Sequence, residues 1–147
     1  MKFIKIEENK EQCMDLFLEA DPDREVIESY LKKGEVYAIL ENKEIICEAV
    51  VLPYDANTVE LKNIATKEEY RGAHYASQMI EYLFSIYRKK YKKMIVGTSE
   101  RMIPFYVLHG FTQYHHTVKN FFVDNYKEEI WDGNFLCMDI HYYEKKF

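Results

Sequence analysis

Eight consecutive residues, 70–77, combine the residue types and spacing that an anion-binding turn requires. The extended segment Thr58–Thr66 precedes them, and apolar residues at helical spacing follow from Tyr75. Arg71 adds a positive charge, and Gly72 adopts backbone angles that other residues resist. Small side chains that let an anion approach the main chain stand at Ala73, Ala76 and Ser77. Because the first amides of a helix lack partners within it and the helix dipole favours negative charge, this stretch predicts a diphosphate site.

A second segment, residues 104–111, supplies the pattern Phe-Tyr-x-x-x-Gly-Phe at the end of a predicted helix. Together with residues 71–76 it resembles the GNAT superfamily of acyl-CoA-dependent N-acyltransferases, whose phosphate loop reads Gln/Arg-x-x-Gly-x-Gly/Ala. The resemblance covers nearly the whole chain and is strongest over residues 58–113. One departure is His74, which stands where the family pattern has its central glycine and must hold a backbone shape that glycine adopts cheaply. An isolated Arg-Gly pair would indicate only an ordinary strand-to-helix turn, but two motifs in this order favour the resemblance.

The resemblance implies two reactive side chains. Tyr106 matches the tyrosine of the second motif and is implied as the acid that protonates a departing thiolate, since a phenol with a pKa of about 10 stays protonated at neutral pH. Glu60, on the strand before the loop, is implied as the base or as the group that holds the acceptor amine. An ordinary carboxyl pKa is about 4.3, so this role requires a raised pKa or an intervening water. The alternatives are structural: a packing tyrosine, and a solvated glutamate paired with Lys62.

The same resemblance implies that acetyl-CoA is the cosubstrate and indicates its contacts. Main-chain groups of Ile64, Ala65 and Thr66 would pair with the pantetheine arm as a neighbouring strand does. Ser99 would place a polar side chain near the cofactor, although capping the following helix is its simpler role. The diphosphate would be held by the loop residues Arg71, Gly72, Ala73, His74, Tyr75, Ala76 and Ser77.

Hydrophobic periodicity and turn residues predict the elements that must position these groups, in one domain that covers residues 1–147. The predicted strands are residues 1–6, 35–40, 44–52, 58–66, 93–97, 113–123 and 135–143. The predicted helices are residues 11–20, 21–33, 75–90 and 99–109. This mixture indicates the fold class α/β (α+β), a single mixed, mostly antiparallel, central sheet of about seven strands flanked by about four helices.

Composition argues against several classes of protein. The formal net charge of −5 disfavours a nucleic-acid-binding surface. No apolar run approaches the roughly 20 residues of a membrane span, and the N-terminus lacks the apolar core of a secretory signal, so the predicted location is cytoplasmic. Three scattered cysteines predict no disulfide framework. No metal site is predicted, because no pair of ligands has zinc spacing and His115 and His116, adjacent on a predicted strand, should point to opposite faces.

The sequence therefore predicts an N-acetyltransferase that moves an acetyl group from acetyl-CoA to a primary amine of a small molecule. Direct transfer in a ternary complex is expected, because none of the three cysteines lies in either motif. Two alternatives stay open. One is a non-catalytic acyl-CoA-binding module, prompted by His74. The other is an interaction protein that has lost the cofactor, with the aromatic-rich residues 113–123 as its surface, in a homodimer.

Overall fold

Nine strands and five helices make up the structure, a computed structural model that describes residues 1–147. The strands are β1 (Lys2–Ile6), β2 (Glu35–Glu41), β3 (Glu44–Asp55), β4 (Thr58–Thr66), β5 (Lys93–Thr98), β6 (Gln113–Val118), β7 (Ile130–Asp132), β8 (Phe135–Cys137) and β9 (Ile140–Lys146). The helices are α1 (Met14–Ala20), α2 (Arg24–Leu31), α3 (Tyr75–Tyr87), α4 (Ile103–Leu108) and α5 (Phe121–Asn125). No helix has both the length and the apolar character needed to cross a membrane.

Seven strands form one sheet in the order β1-β2-β3-β4-β5-β9-β6, while β7 and β8 pair separately as a two-stranded ribbon. Every neighbouring pair in the large sheet is antiparallel except β4 and β5, which run parallel. The predicted fold class is confirmed. The parallel pair sits near the middle of the sheet, and α3 makes the crossover between its two strands, as a parallel connection requires.

Alternation along the strands divides the core between the two faces of the sheet. In β2, Val36 and Ala38 pack with Phe17 of α1, whereas the intervening Tyr37 joins the core beneath Leu83 of α3. The α2 helix begins at Arg24, three residues later than predicted. Its cap is Asp23, whose side chain accepts hydrogen bonds from the first amides of the helix.

Two predicted strands in the C-terminal third are wrong in their bounds. The strand predicted over residues 113–123 ends at Val118, and Asn120, with φ of 57°, starts the five-residue helix α5. The strand predicted over residues 135–143 is interrupted between β8 and β9, and residues 124–134, for which no strand was predicted, contain β7. Burial overrides strand propensity here, because Phe121 and Phe122 pack as a helical pair against the buried residues Ile95, Ile140 and Tyr142.

Candidate active site

The parallel strands β4 and β5 part halfway along their length. Their pairing runs from Thr58 opposite Lys93 to Leu61 opposite Val96 and then stops, although β4 continues to Thr66. The other edge of β4 stays paired with β3 along its whole length. The β5-facing edge of residues 62–66 is therefore open. The three residues predicted to bind the pantetheine arm through their main chain, Ile64, Ala65 and Thr66, lie along this edge.

A β-bulge occurs where the two strands separate. Asn63 pairs with Val50 and Leu61 with Val51, so Lys62 is an extra residue in β4. The bulge breaks the alternation of the strand, and both Lys62 and Asn63 reach the α1–α2 face. Asn63 is fixed there because its amide Nδ2 lies 3.1 Å from the hydroxyl of Tyr30 and 3.1 Å from the carbonyl of Phe17. No pattern in the sequence predicted this bulge.

The loop before α3 presents a row of unpartnered amides. The first amide of this region with a main-chain acceptor inside α3 is that of Gln78, which donates to the carbonyl of His74 at 3.0 Å, and the N–H groups of residues 72–77 donate to no protein acceptor. Gly72 and His74 both have positive φ, 85° and 64°. A side chain on Gly72 would meet nothing within 4 Å, so its backbone angle, and not lack of space, favours glycine. His74 holds the left-handed conformation that its position in the motif requires.

Arg71 secures the entrance to this loop. Its Nη2 donates to the Glu19 carboxylate at 2.7 Å, and its Nε donates to the main-chain carbonyl of Thr66 at 3.1 Å. The guanidinium therefore links the end of α1 to the end of β4. The predicted contact of Arg71 with the cofactor stays a prediction, and in this structure its side chain braces the loop.

Two other side chains predicted to bind cofactor also turn to protein partners. The Tyr75 hydroxyl donates to the carboxylate of Glu41 at 2.6 Å. The Ser77 hydroxyl lies 3.0 Å from Nε2 of His109, just beyond α4. These contacts tie the first turn of α3 to β2 and to α4. The loop consequently offers a ligand its main-chain amides, with side chains holding those amides in place.

The open strand edge leads into a cleft of about 580 Å³. The cleft is bounded by β4, β5, the end of α1, α5 and β7, and both predicted reactive residues, Glu60 and Tyr106, lie on its wall. It continues to Arg71 at the mouth of the amide loop. One continuous space thus joins the predicted phosphate site to the predicted acid and base.

Tyr106 is almost entirely enclosed, with 9% of its surface exposed. Its ring packs edge-on against the rings of Phe105 and Phe111, which fixes its orientation. Burial raises the pKa of Tyr106 to about 12. Because the hydroxyl stays protonated at neutral pH and lines the cleft, it is able to donate a proton there.

Glu60 lies within the cleft, with 13% of its side chain exposed. Burial raises the pKa of the Glu60 carboxyl, and the charge of Lys62 opposes that shift. The two charged groups approach to 4.0 Å, which is the pairing that the structural alternative predicted. The carboxylate is nevertheless poorly solvated, and a raised pKa is the property that a base working near neutral pH requires.

Ser99 also lines the cleft, but it caps no helix. Its hydroxyl donates instead to Asp132 of β7 at 3.4 Å. The predicted capping role is therefore not seen. The contact joins the end of β5 to the β7–β8 ribbon, which forms the far wall of the cleft.

Several cleft residues escaped the sequence analysis, namely Asp21, Phe121, Phe122, Tyr126, Trp131 and Cys137. Asp21 accepts a hydrogen bond from the hydroxyl of Tyr30 at 3.2 Å, and burial raises its pKa. Burial also raises the pKa of the Cys137 thiol. The one sequence signal for this wall was the density of aromatic residues between positions 113 and 131, which the analysis assigned to a strand and a connection.

The prediction that His115 and His116 point to opposite faces is wrong. The register of β6 shifts between Tyr114 and His116, so the strand bulges at His115 and brings the two Nδ1 atoms within 2.6 Å. Across the molecule, no cluster of three or more His, Cys, Asp or Glu side chains has an arrangement suited to a metal ion.

Comparison with known proteins gives consistent matches. Residues 32–113, more than half of the chain, match the family described as "Acetyltransferase (GNAT) domain". The chain is 30% identical to the uncharacterized N-acetyltransferase YvbK of Bacillus subtilis, over 91% of this chain and 88% of the relative.

Solved structures show the same similarity. A GNAT family acetyltransferase from Elizabethkingia anophelis with acetyl-CoA bound matches with a TM-score of 0.90 and 32% identity, covering 99% of this chain and 97% of that one. An acetyltransferase from Bacillus subtilis in complex with CoA matches in fold, with a TM-score of 0.86 and 24% identity, covering 99% and 98% of the two chains.

Proposed function

We propose a function from the premise that this chain belongs to the GNAT family of acetyltransferases. The chain is an acyltransferase enzyme, and we propose that acetyl-CoA is its donor and a primary amine of a small molecule its acceptor. The observation that carries the proposal is the open edge of residues 62–66 beside the unpartnered amides of residues 72–77. The acetyl-CoA bound to the similar Elizabethkingia anophelis enzyme supports the same donor.

The chain's main-chain groups fit the two parts of this donor. Amides of residues 72–77 face outward at the N-terminus of the 13-residue helix α3, where the helix dipole adds to their attraction for a diphosphate. The open edge of β4 offers unpaired strand groups to the amides of a pantetheine arm. When bound, acetyl-CoA would supply the acetyl thioester on which the reactive side chains of the cleft act.

Glu60 makes the acceptor nucleophilic. An alkylammonium has a pKa of about 10.4, so at pH 7 only about one molecule in a few thousand is neutral, a cost of roughly 4–5 kcal/mol. Glu60, partly desolvated in the cleft, takes the ammonium proton directly or through one water as the nitrogen attacks. Its raised pKa brings its basicity closer to neutral pH than that of an exposed carboxylate.

Tyr106 supplies a proton to the departing thiolate. Its hydroxyl is held by ring packing and stays protonated, because its pKa is raised to about 12. Direct transfer is favoured over an acyl-enzyme, since burial raises the pKa of Cys13 and of Cys47 to about 12 and raises that of Cys137 in the cleft. These thiols are protonated at neutral pH and are weak nucleophiles.

We also propose that the enzyme acts as one domain in the cytoplasm, without a metal ion. A homodimer stays a prediction. The strand predicted as its surface is β6, which lies at the edge of the sheet.

A turnover screen tests the proposal. Release of the CoA thiol is measured with aminoglycosides, polyamines, amino acids and short peptides, each at several concentrations, against an amine-free blank. At least one amine should raise thiol release with saturation. Intact mass measured during turnover should show no acetyl group that passes from the protein to the amine. Binding of acetyl-CoA in calorimetry with no turnover for any amine would leave a donor-binding module and contradict the enzymatic proposal.

A further inference from the structure

The ammonium of Lys62 lies inside the cleft, beside the carboxylate proposed as the base. Its Nζ is 4.0 Å from Oε2 of Glu60, and 22% of its side chain is exposed. Ordinary alternation along β4 places Lys62 on the same face as Glu60, and the bulge that follows brings Asn63 to that face as well. A lysine has therefore been directed into the space where an acceptor amine has to approach Glu60.

The surroundings of this ammonium have the composition of an amine-binding cage. Nζ lies 5.4 Å from the ring centroid of Tyr30 and 5.9 Å from that of Phe121, both within the range of cation–π attraction. The Lys62 charge also acts on the buried carboxyl of Asp21. Aromatic faces and carboxylates together recognise an organic ammonium, and this cage holds the chain's own lysine.

We propose that Lys62 occupies the acceptor-ammonium position and that the enzyme acetylates it in cis when no external amine displaces it. This inference rests on the proposed function, because it uses the same donor, base and acid. Its geometric basis is that a base must lie within hydrogen-bond reach, directly or through one water, of the proton that it removes. Nζ of Lys62 lies 4.0 Å from Oε2 of Glu60, so a shift of about 1 Å in either flexible side chain brings it within that reach.

The reaction conserves atoms and charge. Lys62 loses one Nζ proton to Glu60, and its lone pair forms a bond to the carbonyl carbon of the thioester. The C–S bond breaks, and the sulfur keeps the electron pair and takes a proton from Tyr106. The second proton that the nitrogen loses as it becomes an amide restores the Tyr106 hydroxyl, and the proton on Glu60 passes to solvent. The products are CoA and an Nε-acetyl amide at Lys62. An amide does not pass its acetyl group to amines, so this modification differs from an acyl-enzyme intermediate.

Acetylation would change the cage itself. It removes the positive charge that faces Glu60 and Asp21 and the cation–π contacts with Tyr30 and Phe121, and it leaves a larger neutral group in the cleft. External amines should consequently slow the modification by competing for the cage. An enzyme that has modified itself should bind acceptor amines less tightly than the unmodified protein.

Peptide mass spectrometry after incubation with acetyl-CoA, without amine, tests the modification. Acetylation of Lys62 should exceed that of Lys127, an internal control whose side chain is 80% exposed, by at least about tenfold, because only Lys62 is held beside the base. The fraction of Lys62 acetylated per unit time should not depend on protein concentration. Equal acetylation of the two lysines, or a fraction per unit time that rises in proportion to protein concentration, would overturn the proposal.

Calorimetry without acetyl-CoA gives a second readout. Butylammonium should bind Lys62→Gln roughly tenfold more tightly than wild type, because the cage is vacated and its carboxylates are unopposed. Lys62→Arg keeps a cation in the cage and should show no such gain, and melting curves verify that both variants are folded. Equal affinity of wild type and Lys62→Gln would show that Lys62 does not occupy the ammonium position.

The two proposals fail in different ways. Turnover of an external amine while Lys62 stays unmodified refutes the inference and leaves the proposed function intact. Absence of both turnover and Lys62 acetylation refutes both. Acetylation of Lys62 in wild type that external amine suppresses supports both, since it shows that one donor site and one cage serve the two reactions.

Discussion

A fully buried carboxyl group lies directly behind the strand proposed to hold the cofactor. Glu48 of β3 pairs with Ala65 of β4, has 0% of its surface exposed, and neither of its carboxyl oxygens has a hydrogen-bond partner. Burial raises its pKa well above the ordinary value. The group is therefore protonated in the folded protein under conditions in which it ionises in the unfolded chain.

This shift makes the free energy of unfolding depend on pH. Below an ordinary carboxyl pKa of about 4.3, Glu48 is protonated in both states and carries no pH-dependent penalty. Above it, ionisation stabilises only the unfolded chain, so stability falls by about 1.4 kcal/mol per pH unit until the raised pKa of the folded state is reached. Glu48→Gln keeps the shape and polarity of the side chain and removes its titration.

The expected magnitude follows from that slope. Between about pH 5 and about pH 6.5, the stability of wild type should fall by about 2 kcal/mol relative to Glu48→Gln. For a chain of this length, that corresponds to a relative change in melting temperature of roughly 4–8 °C. Urea unfolding followed by tyrosine fluorescence or circular dichroism at four pH values across this range measures the difference directly.

The comparison has a matched control and a clear refutation. Glu81→Gln removes an exposed carboxylate from α3 and should track wild type at every pH. Other carboxyls with raised pKa, such as Glu60 and Asp21, are present in both proteins and cancel in the difference. If the gap between wild type and Glu48→Gln is constant from about pH 5 to about pH 6.5, then Glu48 ionises alike in the two states and the argument from burial is wrong.

Three further predictions concern the site. Tyr106→Phe should lower kcat by about 10²–10³-fold with little change in KM for acetyl-CoA, while the control Tyr91→Phe, outside the cleft, should keep the wild-type kcat. If the kcat of Tyr106→Phe is unchanged, Tyr106 is not the acid. In wild type, kcat/KM should fall as the pH drops through the raised pKa of Glu60, and Glu60→Gln should abolish this acidic limb of the pH profile. If the limb persists in Glu60→Gln, it reports the titration of another group. His74→Val should destabilise the protein by about 1–2 kcal/mol and weaken acetyl-CoA binding, whereas His74→Gly should match or exceed wild type in both melting temperature and affinity.

The parts of the site that could be predicted are those that depend on local sequence. An amide nest before a helix needs a strand, a residue able to adopt positive φ, and small side chains in immediate succession, and residues 58–77 carry all of these in order. Tyr106 was proposed in a different way, through the resemblance of residues 104–111 to the family motif Phe-Tyr-x-x-x-Gly-Phe, and its role as the acid stays a prediction.

The errors lie where distant contacts decide the outcome. Phe121 and Phe122 suit a strand by propensity, yet they pack as a helix on residues that arrive from β5 and β9. His115 and His116 suit opposite faces by simple alternation, yet the register of β6 against β9 shifts between Tyr114 and His116 and brings their Nδ1 atoms together. In neither case do the neighbouring residues in the sequence reveal the partner.

The sequence by itself determined the sheet-and-helix class and the turn of free amides before α3, because periodicity and turn chemistry act over a few residues. The tertiary structure alone decided that β4 and β5 separate after Leu61, that a bulge brings Asn63 to the same face as Lys62, and that α5 and β7 close one side of the cleft. These features arise from register and packing between segments far apart in the chain, where burial and pairing outweigh the preference of any single residue.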